Sequence, residues 1–311
     1  MSTAEVAGTR SMRGRRRRRT AGPVVMVMSA MLAAALLAAG CGSTAGGGTA
    51  DGAAAGQAGD AQPGSAQAGD AQAGDAQAGD APAGDAPEGA VLVFAAASLT
   101  DAFGALADAF SENNPQAEVV LNLAGSQTLA RQIVEGAPAE VFAAANELQM
   151  DVVADAGELA TDPEVFATNR LAIAVEPGNP LGITGLDDLA DPELLLVLPD
   201  EQVPAGRYAR QVLDAAGIAV APVSLEQDVR AARSKVELGE ADATIVYASD
   251  VVAADGRVDG VEVADEHNLR ATYPIARLAD SSDPEVAEGF MAFVLSERGR
   301  EILAEYGFTA P

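Results

Sequence analysis

The stretch Val91-Leu92-Val93-Phe94-Ala95-Ala96-Ala97-Ser98-Leu99-Thr100 carries an apolar run that ends at a small polar residue. Residues 91–95 have the composition of a buried strand, and residues 100–112 show the apolar spacing of a helix. A strand that leads directly into a helix is the repeating unit of a parallel α/β sheet. Ligands bind such sheets where strands end and helices begin. The stretch therefore predicts a fold class and a candidate place for a site.

The same alternation continues along the chain in two sets. The further predicted strands cover residues 118–123, 141–144, 171–175, 194–198 and 244–247, and the further predicted helices cover residues 128–135, 147–156, 205–215 and 227–238. Two sets predict an α/β protein with two lobes, each a mostly parallel sheet flanked by helices, and a cleft between the lobes.

We assign residues 90–311 to this folded part. Lobe 1 is expected at about residues 90–170 plus 276–311, and lobe 2 at about residues 171–275. The chain then has to cross between the lobes twice, near residues 171–175 and near residues 273–278. Lobes that are joined by two extended crossovers are expected to move as rigid bodies about a hinge.

The N-terminus has the pattern of an export signal. Arg15 to Arg19 form a positive run, residues 23–39 are apolar, and Leu37-Ala38-Ala39-Gly40-Cys41 supplies small residues before a cysteine. This pattern predicts a signal peptide over residues 1–40, with an uncleaved anchor helix as the alternative. The small residues before Cys41 resemble a bacterial lipobox, which implies a lipid on that cysteine. The arginine run is compatible with the general secretory and the twin-arginine routes.

A low-complexity segment follows the cysteine. Units of Ala-Gly-Asp-Ala-Gln recur over residues 58–86, and residues 41–89 contain almost no branched or aromatic side chains. Such a segment buries too little apolar area to offset its chain entropy, so we expect a disordered tether. Signal, lipid and tether together predict a domain held at the outer face of the cytoplasmic membrane.

Charge and cysteine content exclude several classes of partner. From Gly89 onward the chain has 12 basic and 38 acidic residues. Such a domain is repelled by nucleic acid and by anionic lipid, so we expect no nucleic-acid partner and membrane contact through the lipid anchor only. Cys41 is the only cysteine, which excludes a disulfide scaffold and a cysteine-based metal site.

Four segments combine the end of a predicted strand or loop with the start of a predicted helix. They are Ala95-Ala96-Ala97-Ser98-Leu99-Thr100, Ala124-Gly125-Ser126-Gln127-Thr128-Leu129, Val203-Pro204-Ala205-Gly206-Arg207-Tyr208 and Glu226-Gln227-Asp228-Val229-Arg230. A helix start presents free backbone N–H groups and a positive dipole end, which together can hold an anion. A serine at a helix start is more often a plain N-cap, so each segment alone is a weak signal.

Taken together, these segments resemble the molybdate-binding receptors of ABC importers. The resemblance rests on Phe94 to Thr100, Ser126 to Ile133 with Gly136-Ala137-Pro138-Ala139, Val203 to Gly206 with Tyr208, Asp228-Val229-Arg230, Ile245 to Asp250, and Tyr306-Gly307-Phe308-Thr309. They occur in the order of that family and span nearly all of residues 91–310. The resemblance implies a two-lobe periplasmic-binding-protein-like fold of type II.

The resemblance also implies a site without charged side chains. Matching the motifs assigns hydroxyl donors to Ser98, Ser126 and Tyr247, and further backbone N–H donors to Ala205 and Val229. Molybdenum would be bound only as the oxyanion, molybdate or tungstate, with no cofactor. Gly125 departs from the family, in which a serine is common at that position.

The same family resemblance implies how the chain works. A monomer would deliver its ion to the permease of an ABC importer and the ATPase partner of that permease. Fixed neutral dipoles in a dry cleft can bind a dianion without an arginine. We therefore expect Arg131 and Arg230 to be solvated or to pair with surface carboxylates.

Other classes of function fit less well. The sequence contains no Gly-x-Ser-x-Gly, Ser-x-x-Lys or phosphate-loop motif, and its single histidine, His267, lies in a polar stretch. An enzyme is therefore not expected. Iron carriers typically use adjacent tyrosines, and the four tyrosines here are scattered. A surface adhesin would not require the four helix starts. A receptor of the same fold for another tetrahedral oxyanion, such as sulfate or phosphate, is the main alternative.

Overall fold

The computed structural model describes residues 88–311, which lie within one compact unit. The predicted signal peptide, Cys41 and the tether up to residue 87 lie outside the described residues. Within residues 88–311, no helix is both long enough and apolar enough to cross a bilayer.

Strands and helices alternate along the described chain. The strands are β1 (Gly89–Ala96), β2 (Ala117–Ala124), β3 (Val141–Ala143), β4 (Glu164–Val175), β5 (Val197–Pro199), β6 (Ser224–Glu226), β7 (Ala243–Tyr247), β8 (Asp259–Glu262) and β9 (Arg270–Arg277). The helices are α1 (Thr100–Asn113), α2 (Ser126–Val134), α3 (Glu147–Asp155), α4 (Pro204–Ala216), α5 (Val229–Glu237), α6 (Ala248–Ala253), α7 (Pro284–Leu295) and α8 (Glu297–Glu305). Short 3-10 helices cover Ala97–Leu99 and Leu186–Ala190.

One strand, β4, connects the two lobes. The main sheet has the order β2-β1-β3-β9-β4-β7. Residues 164–170 of β4 pair with β9 on the lobe 1 side, and residues 171–175 pair with β7 on the lobe 2 side. Strands β4 and β9 are therefore the two crossovers, and the two-lobe α/β class is confirmed.

Both lobes combine parallel and antiparallel pairs. In lobe 1, β1 pairs in parallel with both β2 and β3, but β9 runs antiparallel to β3. In lobe 2, β5 and β6 are parallel and a parallel bridge joins Leu196 to Ala243, but β7 and β8 both run antiparallel to β4. The sheets are therefore more mixed than predicted, because in each lobe a crossover strand runs against the strands that it pairs with.

Several element bounds differ from the sequence-based prediction. Strand β4 extends well before residue 171, and β5 begins later than predicted. Strands β6 and β8 and helices α6, α7 and α8 were not predicted. Strand β6 has only three residues, none of them fully buried, and α6 begins at the residue that follows β7. Short elements of this kind carry too few residues for a periodic pattern.

Strand β1 is buried on both faces, which explains its continuous apolar sequence. Val91, Val93 and Ala95 face the larger core cluster, which also contains Phe103 of α1. Phe94, between them, faces a second cluster that includes residues of α2 and α3. Side chains alternate between the faces of a strand, so a strand covered by helices on both sides needs apolar residues at every position.

A buried carboxylate fixes the segment that follows β9. Glu140 is 4% exposed, and one of its oxygens accepts hydrogen bonds from the backbone N–H groups of Ser282 and Asp283 and from the Ser282 hydroxyl. Its other oxygen accepts the Leu92 N–H. Burial alone would raise the pKa of Glu140, but these hydrogen bonds outweigh it and lower the pKa below its usual 4.5.

We expect Glu140→Gln to lower the free energy of unfolding by about 1–3 kcal/mol, because the amide NH2 must face a backbone or hydroxyl donor. The stabilisation by the ionised carboxylate is complete at neutral pH and is lost as the pH falls below about 4.5, because the folded state has the lower pKa. Urea unfolding at pH 7 and pH 4 measures both effects. Glu301→Gln, which alters an exposed pair with Arg298, is the matched control. Equal stability of the two variants at pH 7 would contradict the prediction.

Candidate functional site

Four chain segments that start helices meet at one small cavity between the lobes, with a volume of about 10 Å3, the space that about one water molecule needs. Its lining is Ala96, Ala97, Ser98, Gly125, Ser126, Ala145, Val203, Pro204, Ala205, Asp228, Val229 and Tyr247. All five residues that the sequence assigned to the ligand (Ser98, Ser126, Ala205, Val229 and Tyr247) are therefore brought together. His267 does not line this cavity, and no arginine or lysine does.

Two of the helices begin without a side-chain cap. Helix α2 starts at Ser126 after Gly125, and α4 starts at Pro204 after Val203, and neither preceding residue makes a side-chain capping bond. The first backbone N–H groups of a helix have no partner inside the helix. Pro204 needs none, because it has no N–H. The Ser126 and Ala205 starts thus present N–H groups and a positive dipole end beside the cavity.

Helix α5 is capped differently. The Asp228 carboxylate accepts the Ala231 N–H at 2.8 Å, which is an ordinary N-cap. This bond uses an N–H of the first turn but not that of Val229. Asp228 is the only acidic side chain in the cavity lining, and this bond holds its carboxylate against the first turn of α5.

The two serine hydroxyls are held by neighbouring groups. Ser126 is 1% exposed, and its oxygen accepts the Ala145 N–H at 3.1 Å. A hydroxyl that accepts one bond keeps its own hydrogen to donate. Ser98 lies 3.2 Å from the Tyr273 hydroxyl. Each serine is thus oriented by one fixed partner and has hydrogen-bonding capacity left for a ligand.

The Tyr247 hydroxyl is the notable group of the cavity. Tyr247 is 1% exposed and lines the cavity, and its hydroxyl makes no hydrogen bond of normal geometry among the described residues, although the Tyr273 hydroxyl is near enough to interact with it. A buried polar group without a partner costs about 1–3 kcal/mol, so native structures rarely keep one without a reason. Burial, with smaller effects of Tyr273 and Tyr208, raises the pKa of Tyr247 well above its usual value. The group is therefore a neutral hydroxyl that can donate to an anion.

Charged groups behind the cavity hold Tyr247 in place. Asp250 accepts the Tyr247 backbone N–H at 3.1 Å, and the Arg233 guanidinium donates to the Asp250 carbonyl oxygen at 2.9 Å. Arg233 is 2% exposed and also pairs with Glu237 at 2.7 Å. Burial raises the pKa of Asp250 to about 7, although Arg233 opposes this shift. This network fixes the end of β7 relative to α5.

Arg131 and Arg230, the two arginines beside the binding motifs, do not line the cavity. Arg230 pairs with Asp101 of α1 at 2.5 Å, and Arg131 is exposed on α2. Sequence reasoning thus anticipated that neither would enter the cavity. It did not anticipate that the Asp101 carboxylate would come from the opposite lobe.

Several supporting residues were missed from the sequence. Tyr273, which contacts the Ser98 hydroxyl, lies in the middle of β9, and its ring centre is 5.6 Å from that of Tyr247. Only its position in a predicted crossover strand hinted at a role. Ala145, Asp250 and Arg233 act through a backbone N–H or from behind the cavity, where a sequence offers no signal. No group of three or more potential metal ligands occurs within the described residues.

Two α/β lobes that close over a cavity of helix starts define a solute-binding protein. Residues 91–309 match the family model described as bacterial extracellular solute-binding protein. A protein of Mycobacterium tuberculosis named molybdate-binding protein ModA is 41% identical over 222 residues, which cover 71% of this chain and 85% of the relative. The chain therefore belongs to the bacterial extracellular solute-binding proteins, in the group of the molybdate-binding receptors of ABC importers.

Solved structures share the fold at lower sequence identity. The periplasmic molybdate-binding protein of Azotobacter vinelandii aligns with a TM-score of 0.62 at 21% identity and covers 71% of this chain and 99% of its own. The sulfate-binding protein SubI of Mycobacterium tuberculosis aligns with a TM-score of 0.62 at 20% identity and covers 71% and 86%. These two structures support the fold, and do not by themselves distinguish between oxyanions.

Gly206→Ala tests whether the start of α4 must approach β5 closely. A Cβ at Gly206 would lie 2.1 Å from the Asp200 carbonyl oxygen and 2.3 Å from that of Pro199. We expect a loss of about 1–3 kcal/mol in unfolding free energy, together with displacement of the Ala205 N–H. Gly104→Ala in α1 is the control, because a Cβ there meets nothing within 4 Å. That control should be neutral or stabilising by about 0.5–1 kcal/mol. Equal thermal unfolding midpoints for the two variants would contradict the prediction.

Proposed function

We propose that this chain is an extracytoplasmic receptor that captures molybdate, and also tungstate, and delivers it to an ABC importer. The proposal is supported by its membership of the solute-binding family and by its 41% identity to a protein named for molybdate binding. A binding role without catalysis also fits a cavity whose lining contains no histidine, lysine or arginine.

The observation that carries the proposal is the buried, unpartnered Tyr247 hydroxyl. It faces the same cavity as the starts of three helices and the Ser98 hydroxyl. An oxyanion has several acceptor oxygens and no donor, so it would satisfy every one of these groups together. We propose that Ser98, Ser126 and Tyr247 donate through hydroxyls and that Ala205 and Val229 donate through backbone N–H groups.

Neutral donors are well suited to this acidic domain. An arginine in the cavity would attract the many carboxylates of the protein as readily as it attracts a ligand. Backbone N–H groups at helix starts are fixed in place, so they need no reorganisation when a dianion enters. Such hydrogen bonds to a charged group contribute about 1.5–3 kcal/mol each.

A second candidate ligand is another tetrahedral oxyanion such as sulfate or phosphate. A sulfate-binding protein shares the fold, and sulfate would use the same kind of donors. Size separates the candidates, because sulfate is the smaller ion. Donors fixed at the spacing of molybdate leave long, weak contacts around sulfate. Calorimetric titration with molybdate, tungstate, sulfate and phosphate tests the ligand directly.

Removing single hydroxyls tests the proposed site. Ser98→Ala, Ser126→Ala and Tyr247→Phe should each weaken molybdate binding about ten- to 100-fold, because each deletes one hydrogen bond to a dianion. Arg131→Ala is the control, since Arg131 is exposed and does not line the cavity. Calorimetry on the four variants with molybdate and sulfate measures the effect. Wild-type affinity in all three hydroxyl variants would rule out the neutral-donor site.

These variants also separate affinity from stability. Tyr247→Phe removes a hydroxyl that makes no hydrogen bond of normal geometry to a described residue, so the ligand-free protein should lose little stability. Ser126→Ala leaves the buried Ala145 N–H without its partner and should cost about 1–3 kcal/mol. Thermal unfolding without ligand, measured beside the titrations, distinguishes these cases.

The proposed receptor is monomeric and works at the outer face of the cytoplasmic membrane. Its membership of an extracellular family agrees with a location outside the cytoplasm. We propose that residues 1–40 direct export, that a lipid on Cys41 holds the chain at the membrane, and that residues 42–89 tether the domain near the permease and its ATPase partner. These segments lie almost wholly outside the described residues, and the proposal rests on their sequence.

Cys41→Ser tests the lipid anchor. The variant should appear in the aqueous phase of a detergent partition or retain its signal peptide, because no thiol remains to receive the lipid. Wild-type protein should partition into the detergent. If both forms were processed and both were water-soluble, the lipid anchor would be excluded and the ligand-binding proposal would be unaffected.

A further inference from the structure

Two polar contacts join the lobes at the edge of the cavity. The Arg230 guanidinium of lobe 2 lies 2.5 Å from the Asp101 carboxylate of lobe 1. The Gln127 amide of lobe 1 donates to the Gln227 carbonyl oxygen of lobe 2 at 2.9 Å. None of these four residues lines the cavity. Both contacts are therefore made between the lobes and not to the proposed ligand.

These contacts stand next to the proposed binding residues in the chain. Gln127 follows Ser126, and Arg230 follows Val229. When the lobes bring Ser126 and Val229 to a common ion, the two neighbours are carried toward their partners across the cleft. Closure around the ion and formation of the two contacts are therefore one event. A contact that exists only in the closed state stabilises that state, wherever it lies.

Gly125, the residue before Ser126, makes room for one of the contacts. A Cβ on Gly125 would lie 2.6 Å from both terminal atoms of the Gln127 side chain. The side chain of Gln127 thus occupies the space that any larger residue at position 125 would need. The φ of Gly125 is −57°, which every residue can adopt, so backbone conformation does not require glycine there. The close approach of the Gln127 amide explains it instead.

We propose that Asp101–Arg230 and Gln127–Gln227 form a latch that sets how long the bound ion is retained, and that Gly125 is required for its second half. The latch rests on the proposed function, because it acts on the anion-bound, closed form. It would make Arg230 and Gln127 determinants of affinity although neither touches the ion.

Release of radiolabelled anion into an excess of unlabelled anion measures the latch. The release rate is measured for wild type, Arg230→Gln, Gln127→Ala, Gly125→Ala and the double variant Gly125→Ala/Gln127→Ala. Arg230→Gln and Gln127→Ala should each release the ion about two- to fivefold faster, the effect of one partly exposed contact. Arg210→Gln is the control, because Arg210 pairs with Glu201 inside lobe 2.

The double variant distinguishes a latch from damage to the cavity. Gly125→Ala should match Gln127→Ala, and the double variant should be no faster than either, because both changes remove the same contact. Release from wild type should also quicken with salt, and Arg230→Gln should lose most of that dependence. Release rates of Arg230→Gln and Gln127→Ala equal to that of Arg210→Gln would overturn the latch.

The same variants are measured with labelled molybdate and with labelled sulfate, so that the two proposals fail separately. If wild type retains sulfate and not molybdate, the proposed ligand is wrong, and the latch is still judged from sulfate release. If wild type retains neither anion, the proposed function and the latch are both overturned.

Discussion

The rest of the structure is arranged around four helix starts that meet at one cavity in a strongly acidic protein. Only backbone N–H groups and hydroxyls line the cavity as fixed donors, and helix starts are where backbone N–H groups are free. A helix start in an α/β sheet lies at the end of a strand, so each lobe can offer only a few. Two lobes facing each other bring Ser98 and Ser126 to the same cavity as Ala205, Val229 and Tyr247.

The base and the rim of the cleft are joined by contacts of different kinds. An aromatic series begins in lobe 1 and passes through Phe166 and Tyr273 of the crossover strands to Tyr247 of lobe 2. Tyr273 also packs on Phe308 with ring centres 5.3 Å apart. Edge-to-face aromatic pairs of this kind are stabilising beyond the area that they bury. The rim, by contrast, is joined by one ion pair and one amide contact, both partly exposed and easily broken.

Much of this arrangement could be predicted, because it is carried by local patterns. The strand at residues 91–95 and the helix after it are read from apolar periodicity, and the same holds for α4 and α5. Four of the five proposed binding residues are neighbours of predicted helix starts, Tyr247 ends a predicted strand, and motif order linked all five. Tyr273, Asp250 and Arg233 could not be found in this way, since their roles come from contacts between elements far apart in sequence. Strand direction in lobe 2 was likewise set by the crossover β4 and not by any local pattern.

The partners across the cleft show where sequence reasoning reaches its limit. A motif identifies Arg230 beside Val229, but chemistry alone suggests either a ligand contact or a surface pair. Only the folded arrangement places Asp101 opposite Arg230, so this pair between the lobes could not be read from the sequence. In a receptor of two lobes that close on a ligand, the binding free energy is the sum of the ligand contacts and the free energy of closing the lobes. Two relatives with identical cavities can therefore differ in affinity through rim residues such as Gln127, and comparison of cavity residues alone would miss the difference.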